Sequence, residues 1–256
     1  MSQAQYVLCQ DCLNVYPFTD ARHNEDEFCS CGGQLCGCPS CDATAAKIVK
    51  AGVVGDEVKS LAAVITMKPL QTKNAIILDT ETTGLDSNAE IVEFTAICAE
   101  TGKVIVNELV KPTCSIPADA TAIHGITDDD VKDASDFHLI FSNQFLPLLN
   151  GRPIIIYNSD FDTRLIIQSL RKHCNDAYVS SVSDMFTKFC VPHCAMLWYA
   201  EFFGDWNDYH ENYKWQSLSN ACAQQNVDVS DLKAHRALAD CEMTRRLIHA
   251  VNQKVN

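Results

Sequence analysis

The chain has 256 residues, of which 47% are hydrophobic and 21% are charged, and this globular composition excludes a wholly disordered or collagen-like chain. Its net charge of −13 excludes the broad positive field that drives loose binding to nucleic acid, so a nucleic acid substrate would have to be met by metal ions or a few placed cations. The chain has no apolar run of about 18 residues and no basic region followed by an apolar core at its N-terminus, so we expect a cytoplasmic protein that does not span a membrane.

The first predicted element is a small zinc-ribbon-like module over residues 1–41. It holds seven of the 14 cysteines, and clustered cysteines in a reducing cytoplasm indicate metal ligands rather than disulfides. Two pairs have the spacing of zinc knuckles, in which two thiolates hold one tetrahedral ion. The predicted zinc ligands are Cys9, Cys12, Cys29, Cys31, Cys36, Cys38 and Cys41, with His23 available as an eighth. Eight ligands would hold two zinc ions and four would hold one, and the spacing does not say which cysteines share an ion.

The folding of this module is expected to depend on its metal. A segment of this length with few large apolar residues cannot build much core, so a bound ion would supply much of the folding free energy. The near-neutral charge of the module argues against a strong DNA anchor. It favours docking of a protein partner, or bracing of the N-terminus, over holding nucleic acid. The alternative is a cluster of free thiols.

Residues 42–74 are predicted to form a helical linker. Asp42 has a side chain typical of a helix N-cap, and Gly52 is a typical helix stop. A second helical stretch is expected to end before Pro69, because proline cannot continue a helix.

From residue 75 to residue 256 the sequence alternates between strand and helix patterns. A short apolar run over 75–79 is typical of a buried strand, and residues 90–100 and 103–111 are predicted to pair as antiparallel strands. A buried strand is also predicted over 152–158, and helices are predicted within 119–149, 160–174, 183–203, 215–225 and 235–253. A sheet that begins antiparallel and ends with strand–helix units indicates a three-layer mixed α/β domain.

Two acids, Asp79 and Glu81, stand where the first apolar strand runs out. If the backbone stays extended through them, both side chains point to the same side of the strand. Two carboxylates so placed repel each other unless a cation lies between them, and Mg²⁺ or Mn²⁺ prefers such oxygen ligands. Taken alone, the pair also fits a solvated strand end followed by a turn at Gly84.

Two further acids follow later in the chain. Ser159 or Asp160 fits the N-cap of the helix that follows the 152–158 strand, whereas Asp162 could turn back toward the sheet edge. Asp240 lies inside the last predicted helix, and His235 lies at or before its first turn. Taken alone, His235 also fits a cap or surface residue, and Asp240 fits an ordinary exposed acid.

In their order and spacing these residues resemble the DEDDh, or DnaQ-like, family of 3′–5′ exonucleases, typified by the proofreading epsilon subunit of bacterial DNA polymerase III. The positions that match the family's three motifs in turn are Asp79 and Glu81, then Asp162, then His235 and Asp240. The segment 122–127 also matches a family segment beside the terminal nucleotide, and the resemblance covers residues 75–253. Tyr157 departs from the histidine of many members, but it is not one of the five catalytic positions.

The resemblance implies a ribonuclease H-like fold and hydrolysis of phosphodiester bonds with two Mg²⁺ or Mn²⁺ ions held by the four carboxylates. It implies that His235 takes the proton from the attacking water and that nucleoside 5′-monophosphates are released. It also implies that Thr82, Thr83 and His124 line the pocket of the 3′-terminal nucleotide, although roles in a loop or turn fit these three residues equally well.

The expected substrate is DNA, bound at single-stranded 3′ ends. RNA is the close alternative, because the same catalytic set serves both sugars and no motif reports on the 2′ position. A different class of function is a zinc-bearing nucleic-acid or protein adaptor with an inactive nuclease fold. Loss of a catalytic residue would favour that class, but all five catalytic positions are present. The aromatic insertion over 190–215 has no assigned role.

Overall fold

The computed structural model describes the strands Tyr6–Cys9, Val15–Pro17 and Leu35–Cys36 and residues 67–207 and 209–255. The chain divides into two compact units. The smaller unit comprises Met1–Leu70, Leu197–Gln216 and His249–Asn256, and the larger unit comprises Gln71–Met196 and Ser217–Ile248. Every residue predicted for catalysis belongs to the larger unit.

In the smaller unit, strands β1 (Tyr6–Cys9), β2 (Val15–Pro17) and β3 (Leu35–Cys36) form an antiparallel sheet in the order β2-β1-β3. Leu8 of β1 pairs with Val15 on one side and with Cys36 on the other. The side chains of the predicted zinc ligands and nearly all of the predicted linker lie outside the described residues. The zinc module therefore stays a prediction.

The larger unit is built on one mixed sheet of five strands in the order β6-β5-β4-β7-β8. The strands are β4 (Ile76–Thr82), β5 (Ile91–Cys98), β6 (Val104–Leu109), β7 (Ile154–Ile156) and β8 (His193–Cys194). β4, β5 and β6 pair antiparallel, whereas β7 is parallel to both β4 and β8. The predicted antiparallel pair and the mixed sheet are confirmed. β4 continues to Thr82, beyond the predicted apolar run, because its polar residues also pair with β5.

Helices account for the helical segments predicted between residues 119 and 253, and those of the larger unit flank its sheet. They are α1 (Ala118–His124), α2 (Asp128–Val131), α3 (Phe137–Ile140), α4 (Leu146–Leu149), α5 (Ser159–Leu170), α6 (Asp176–Asp184), α7 (Ala195–Phe203), α8 (Leu218–Gln224) and α9 (Ala237–Val255). Two π-helical turns, Phe141–Phe145 and Met185–Phe189, continue α3 and α6. Within the described part of the chain, no helix has both the length and the apolar character that a membrane span requires.

The core of the larger unit lies between the sheet and α5. The inward face of α5 is fully buried at Leu165, Ile166 and Leu170. These side chains share one hydrophobic cluster with Ile76 and Leu78 of β4. Because strand side chains alternate, this packing assigns one face of β4 to α5 and leaves the other face for the acids of the first motif.

One local prediction, the N-cap of α5, is wrong in detail. α5 begins at Ser159 with Asn158 in the N-cap position, so neither Ser159 nor Asp160 caps the helix. Asp160 instead lies in the first turn, where an acid is favoured by the helix dipole. The segment 183–203 is helical at both ends, as predicted, and is interrupted between them, because Pro192 cannot continue a helix and the next two residues pair with β7 as strand β8.

Candidate active site

Two carboxylates on β4 and one on α9 form a compact cluster, here called the acidic trio. Asp79 and Glu81 lie on the same side of β4 because strand side chains alternate. Cys241 of α9 contacts one backbone carbonyl on β4 and one on β5, each at 3.8 Å, which places the first turns of α9 against these strands. Asp240 is thereby brought beside the strand acids. One oxygen from each of Asp79, Glu81 and Asp240 lies within 4.8 Å of the other two.

The environment of the trio raises the pKa values of its carboxyl groups. Burial is the largest cause at Glu81, and with the charges of Asp240 and Glu93 it raises the pKa of Glu81 to about 8. The pKa of Asp79 lies well above its ordinary value because of burial first and the charge of Asp162 second. Burial also raises the pKa of Asp240. The ionised trio is therefore destabilised by desolvation and repulsion, and a bound cation would relieve both.

The trio fits a divalent metal on chemical grounds. It offers only carboxylate oxygens, the ligands that Mg²⁺ and Mn²⁺ prefer over nitrogen or sulfur. Among the residues that the structure describes, no other group of three or more potential ligands lies so close together. Cys190, His193 and Cys194 are near one another in sequence but do not form such a group.

Asp162 lies beside the trio without being part of the 4.8 Å cluster. It is 4% exposed, in the first turn of α5, and it accepts a hydrogen bond of 2.7 Å from the hydroxyl of Thr80. Burial raises the pKa of Asp162 to about 7, while the hydrogen bond from Thr80 limits the rise. After burial, the charge of Asp162 is the main cause of the raised pKa of Asp79. The second predicted motif is therefore brought next to the first.

His235 is linked to the trio through its backbone. α9 begins at Ala237, and His235 lies just before it with a φ of 62°, in the left-handed region that few residues other than glycine adopt. The N–H of His235 donates to Oδ2 of Asp240 at 3.3 Å. The imidazole itself is exposed, so the structure joins the predicted base to the predicted ligand while leaving the ring accessible.

The three residues predicted to line the nucleotide pocket are buried and hydrogen-bonded within the protein. Nδ1 of His124 accepts from a backbone N–H at 3.0 Å, so Nε2 carries the proton and donates to the carbonyl of Thr82 at 3.2 Å. Burial lowers the pKa of His124, which favours this neutral form. The hydroxyl of Thr82 donates to the carbonyl of Gly84 at 2.8 Å, and that of Thr83 accepts from the N–H of Glu90 at 3.0 Å. These polar groups organise the loop after β4, and their contact with a nucleotide stays a prediction.

One feature beside the trio is missed by reasoning from the sequence. Glu93 of β5 is 3% exposed and stands opposite Glu81 of β4. Arg236 donates to Glu93 through Nε at 3.1 Å and through Nη2, and the N–H of Ala237 donates at 2.9 Å. The available signal is the position of Glu93 in a strand that is apolar except for Thr95, since a fully buried acid is almost always paired.

The comparisons with known sequences identify the family of this chain. Residues 76–248 match the RNase_T family model, described as Exonuclease. An uncharacterized exonuclease of Escherichia phage 186 is 43% identical over 181 residues, which cover 69% of this chain and 87% of that protein. The DNA polymerase III subunit epsilon of Buchnera aphidicola is 36% identical over 124 residues, which cover 41% of this chain and 52% of that protein. The chain therefore spans about half the length of that subunit.

The comparisons with solved structures confirm the architecture. The zinc-bound form of a complex between Escherichia coli exonuclease I and single-stranded DNA has a TM-score of 0.51 and 19% identity, over 66% of this chain and 38% of that one. Another exonuclease I structure has a TM-score of 0.51 and 18% identity, over 70% of this chain and 40% of that one. Likeness at this level of identity shows the fold alone, a ribonuclease H-like mixed sheet flanked by helices.

Proposed function

This chain belongs to the exonuclease family whose model it matches, and from that membership we propose that it is a metal-dependent 3′–5′ exonuclease that releases nucleoside 5′-monophosphates from DNA ends. The observation that carries the proposal is the acidic trio, in which Asp79, Glu81 and Asp240 offer oxygen atoms within 4.8 Å of one another. Family membership supports a nuclease, and the trio supports metal-assisted hydrolysis at this position.

We assign the roles residue by residue. Asp79, Glu81 and Asp240 hold two divalent cations, Mg²⁺ or Mn²⁺, together with Asp162. Such ions, when bound, neutralise charge at the phosphate and stabilise the attacking and leaving oxygens of an in-line displacement. His235 accepts the proton of the attacking water as general base. Its exposed ring and its backbone hydrogen bond to Asp240 support this assignment.

The proposed substrate is DNA with single-stranded 3′ ends. One similar protein supports this choice, a DNA polymerase III subunit epsilon. The net charge of −13 favours a substrate that is held at one end over one held along a long duplex, because broad phosphate contacts require many basic residues. RNA is the alternative that the experiment has to distinguish.

The proposed domain organisation keeps the N-terminal module separate from catalysis. Residues 1–41 would bind zinc, residues 42–74 would form the linker, and residues 75–256 would form the exonuclease domain. Seven clustered cysteines and the short antiparallel strands β1, β2 and β3 support a zinc-ribbon-like module. Its proposed role is docking of a protein partner or bracing of the N-terminus.

The test is digestion of matched substrates that carry a label at either end. Single-stranded DNA, duplex DNA and RNA of one sequence are incubated with Mg²⁺ or Mn²⁺. A 3′–5′ exonuclease releases the 3′ label early as a mononucleotide and shortens the 5′-labelled strand stepwise. The opposite order of release contradicts the proposed polarity. Faster digestion of RNA than of DNA moves the assignment to an exoribonuclease.

A matched pair of variants serves as the control. Asp162 and Asp160 both lie in the first turn of α5, but Asp162 is buried beside the trio whereas Asp160 is exposed. Asp162→Asn should abolish digestion and Asp160→Asn should not, and equal effects would contradict the role of Asp162. Chelation by EDTA should stop hydrolysis and added Mn²⁺ should restore it. Activity that persists in metal-free buffer contradicts the metal-dependent mechanism.

A further inference from the structure

The ion pair between Glu93 and Arg236 has no part in the proposed chemistry. Oε1 of Glu93 accepts from Nη2 of Arg236, and Oε2 accepts from Nε of Arg236 at 3.1 Å and from the N–H of Ala237 at 2.9 Å. Both oxygens therefore face donors, and Glu93 is not a member of the acidic trio. A fifth acid buried beside other acids costs free energy unless its partners compensate, so its place in the fold calls for a reason.

All three donors come from the segment that joins His235 to α9. Ala237 is the first residue of α9, and Glu93 accepts from one of the N–H groups that a helix leaves unpaired at its start. Arg236 adds a two-pronged contact to the same carboxylate, and such a fork fixes orientation as well as distance. Glu93 thus holds the chain between the predicted base, His235, and the predicted ligand, Asp240.

The other end of this contact is anchored in the sheet. Glu93 is the register partner of Glu81, and Cβ atoms of directly opposite residues lie roughly 4.5–5.5 Å apart. The start of α9 is therefore tied to the same two strands that position Asp79 and Glu81. His235 keeps a φ of 62°, a conformation that persists in residues other than glycine only where the surroundings impose it.

We propose that Glu93 and Arg236 are positioning residues of the active site. Their ion pair, here called the clamp, holds the start of α9 against β5, which sets the place of Asp240 in the trio and keeps the backbone of His235 in its left-handed conformation. Arg236 acts through these neighbours and not on the substrate. The inference rests on the proposed function, because the roles of Asp240 and His235 are part of that proposal.

The first test compares Arg236→Lys with Arg245→Lys. Lysine keeps the positive charge but lacks the planar fork that engages both carboxylate oxygens. Arg245 makes a similar forked pair with Glu242 on the same helix, through Nε at 2.6 Å and Nη2 at 2.7 Å. Arg236→Lys should lower kcat about 10–100-fold, the usual loss when a residue that orients a metal ligand is changed, with KM close to that of the wild type. Arg245→Lys should keep the wild-type kcat.

Binding of Mn²⁺ alone, measured by titration calorimetry on the full chain, separates this inference from the proposed function. Any Mn²⁺ binding that remains in Asp79→Asn occurs at other sites and is subtracted. Arg236→Lys should weaken the remaining Mn²⁺ binding by about 10–100-fold, and Arg245→Lys should not. If the wild type binds Mn²⁺ but hydrolyses no nucleic acid, the proposed function is wrong, and the Mn²⁺ affinities still decide on the clamp. Unchanged Mn²⁺ affinity in Arg236→Lys overturns the clamp.

A double-mutant cycle with Glu93→Gln tests whether the two residues act as one unit. The double variant should lose no more kcat than the worse single variant, because residues in one contact are not additive. Additive losses overturn the clamp. A raised KM with unchanged kcat in Arg236→Lys also overturns it, because Arg236 would then contact the substrate. Circular dichroism melting identifies the folded variants. If Glu93→Gln does not fold, Arg236→Lys decides the question, because the side chain of Arg236 is 41% exposed in the wild type.

Discussion

The hydroxyl of Thr80 donates a hydrogen bond of 2.7 Å to the carboxylate of Asp162, across 82 positions of the chain. Thr80 stands between Asp79 and Glu81, yet alternation along β4 turns it toward the opposite face, on which α5 packs. Burial raises the pKa of Asp162 to about 7, and this hydrogen bond limits the rise. The second acidic motif is therefore held beside the first by a residue that carries no charge.

Thr80→Val should remove this bond at nearly constant volume and leave Asp162 protonated to higher pH. We expect the rate near neutral pH to fall about 10–100-fold, as for other residues that orient a metal ligand, and to recover in part as the pH is raised. Thr113→Val is the control, because Thr113 makes a comparable bond of 2.6 Å to Glu90. Initial rates over a neutral to alkaline pH series provide the measurement. Equal losses in the two variants would contradict the specific role of Thr80.

Three of the four proposed catalytic acids could be placed from the sequence because their signals are local. Alternation along an extended strand is enough to put Asp79 and Glu81 on one side, and the start of a helix after a strand is enough to place Asp162 near the sheet edge. The order of the motifs then supplied Asp240 and His235 through a family resemblance. Local rules of this kind also gave β4 to β7 and most helices of the larger unit, but not β8, which is too short to show a strand pattern.

The remainder of the site depends on contacts that no local rule reports. Glu93 and Arg236 are 143 positions apart, and their pairing exists only once α9 lies against β5. The two ring nitrogens of His124 are engaged by backbone groups, which its residue type does not reveal. The left-handed backbone of His235 likewise depends on tertiary contacts, since only a few per cent of residues other than glycine adopt that region and the residue type alone does not predict it.

Asp79→Asn should abolish hydrolysis while leaving the metal-free protein at least as stable as the wild type. The substitution removes a proposed metal ligand, so the rate should fall to the background of the assay. It also removes one of several crowded buried charges, and relief of that repulsion opposes any loss of packing. Nuclease assays and circular dichroism melts on the same samples test both parts. A rate near that of the wild type would falsify the assignment of Asp79.

The protein without Mg²⁺ or Mn²⁺ should lose stability as the pH rises from about 4.5 to about 8. The pKa of Glu81 is about 8 in the folded chain, against an ordinary value of 4.5. Between these values the folded state binds more protons than the unfolded state, so the free energy of unfolding falls with rising pH and levels off above about 8. A loss of about 1 kcal/mol lowers the Tm by roughly 2–4 °C in a chain of this size.

Thermal melts in dialysed buffer, with no chelator present to strip zinc, measure this slope. Glu81→Gln should reduce it. Saturating Mn²⁺ should reduce it as well, because the ion binds the deprotonated carboxylates and therefore stabilises the folded state more as the pH rises. Asp160→Asn, which changes an exposed acid, should leave the slope as it is. A Tm that rises with pH over this interval is the result that contradicts the prediction.

The N-terminal module should carry zinc independently of catalysis. Elemental analysis after dialysis should find about one or two zinc ions per chain, since each structural ion takes four ligands. The double variant Cys9→Ser, Cys12→Ser should lose at least one ion. The double variant Cys98→Ser, Cys114→Ser should lose none, because both residues are free cysteines outside the module. Protein purified without chelators that contains no zinc would count against the whole module.

The role of His235 as general base should be visible in the pH dependence of the hydrolysis rate. A neutral imidazole accepts a proton and an imidazolium does not, so the rate should climb as the ring loses its proton and then flatten. The choice of variant matters here, because His235 has a φ of 62°. Asparagine tolerates this left-handed region better than alanine, so His235→Asn removes the ring while the backbone hydrogen bond to Asp240 is retained.

His235→Asn should lower kcat by about 10²–10⁴-fold, the usual contribution of a general base, while Mn²⁺ binding stays near the wild-type value because the four carboxylates are unchanged. It should also lose one ionisation from the pH–rate profile. The pH–rate profile of the wild type alone does not identify the base, because water at a hydrolytic metal site ionises in the same pH range as histidine. The exposed His193, changed to asparagine, should leave rate and profile as they are. If His235→Asn behaves like that control, another group takes the proton from the attacking water.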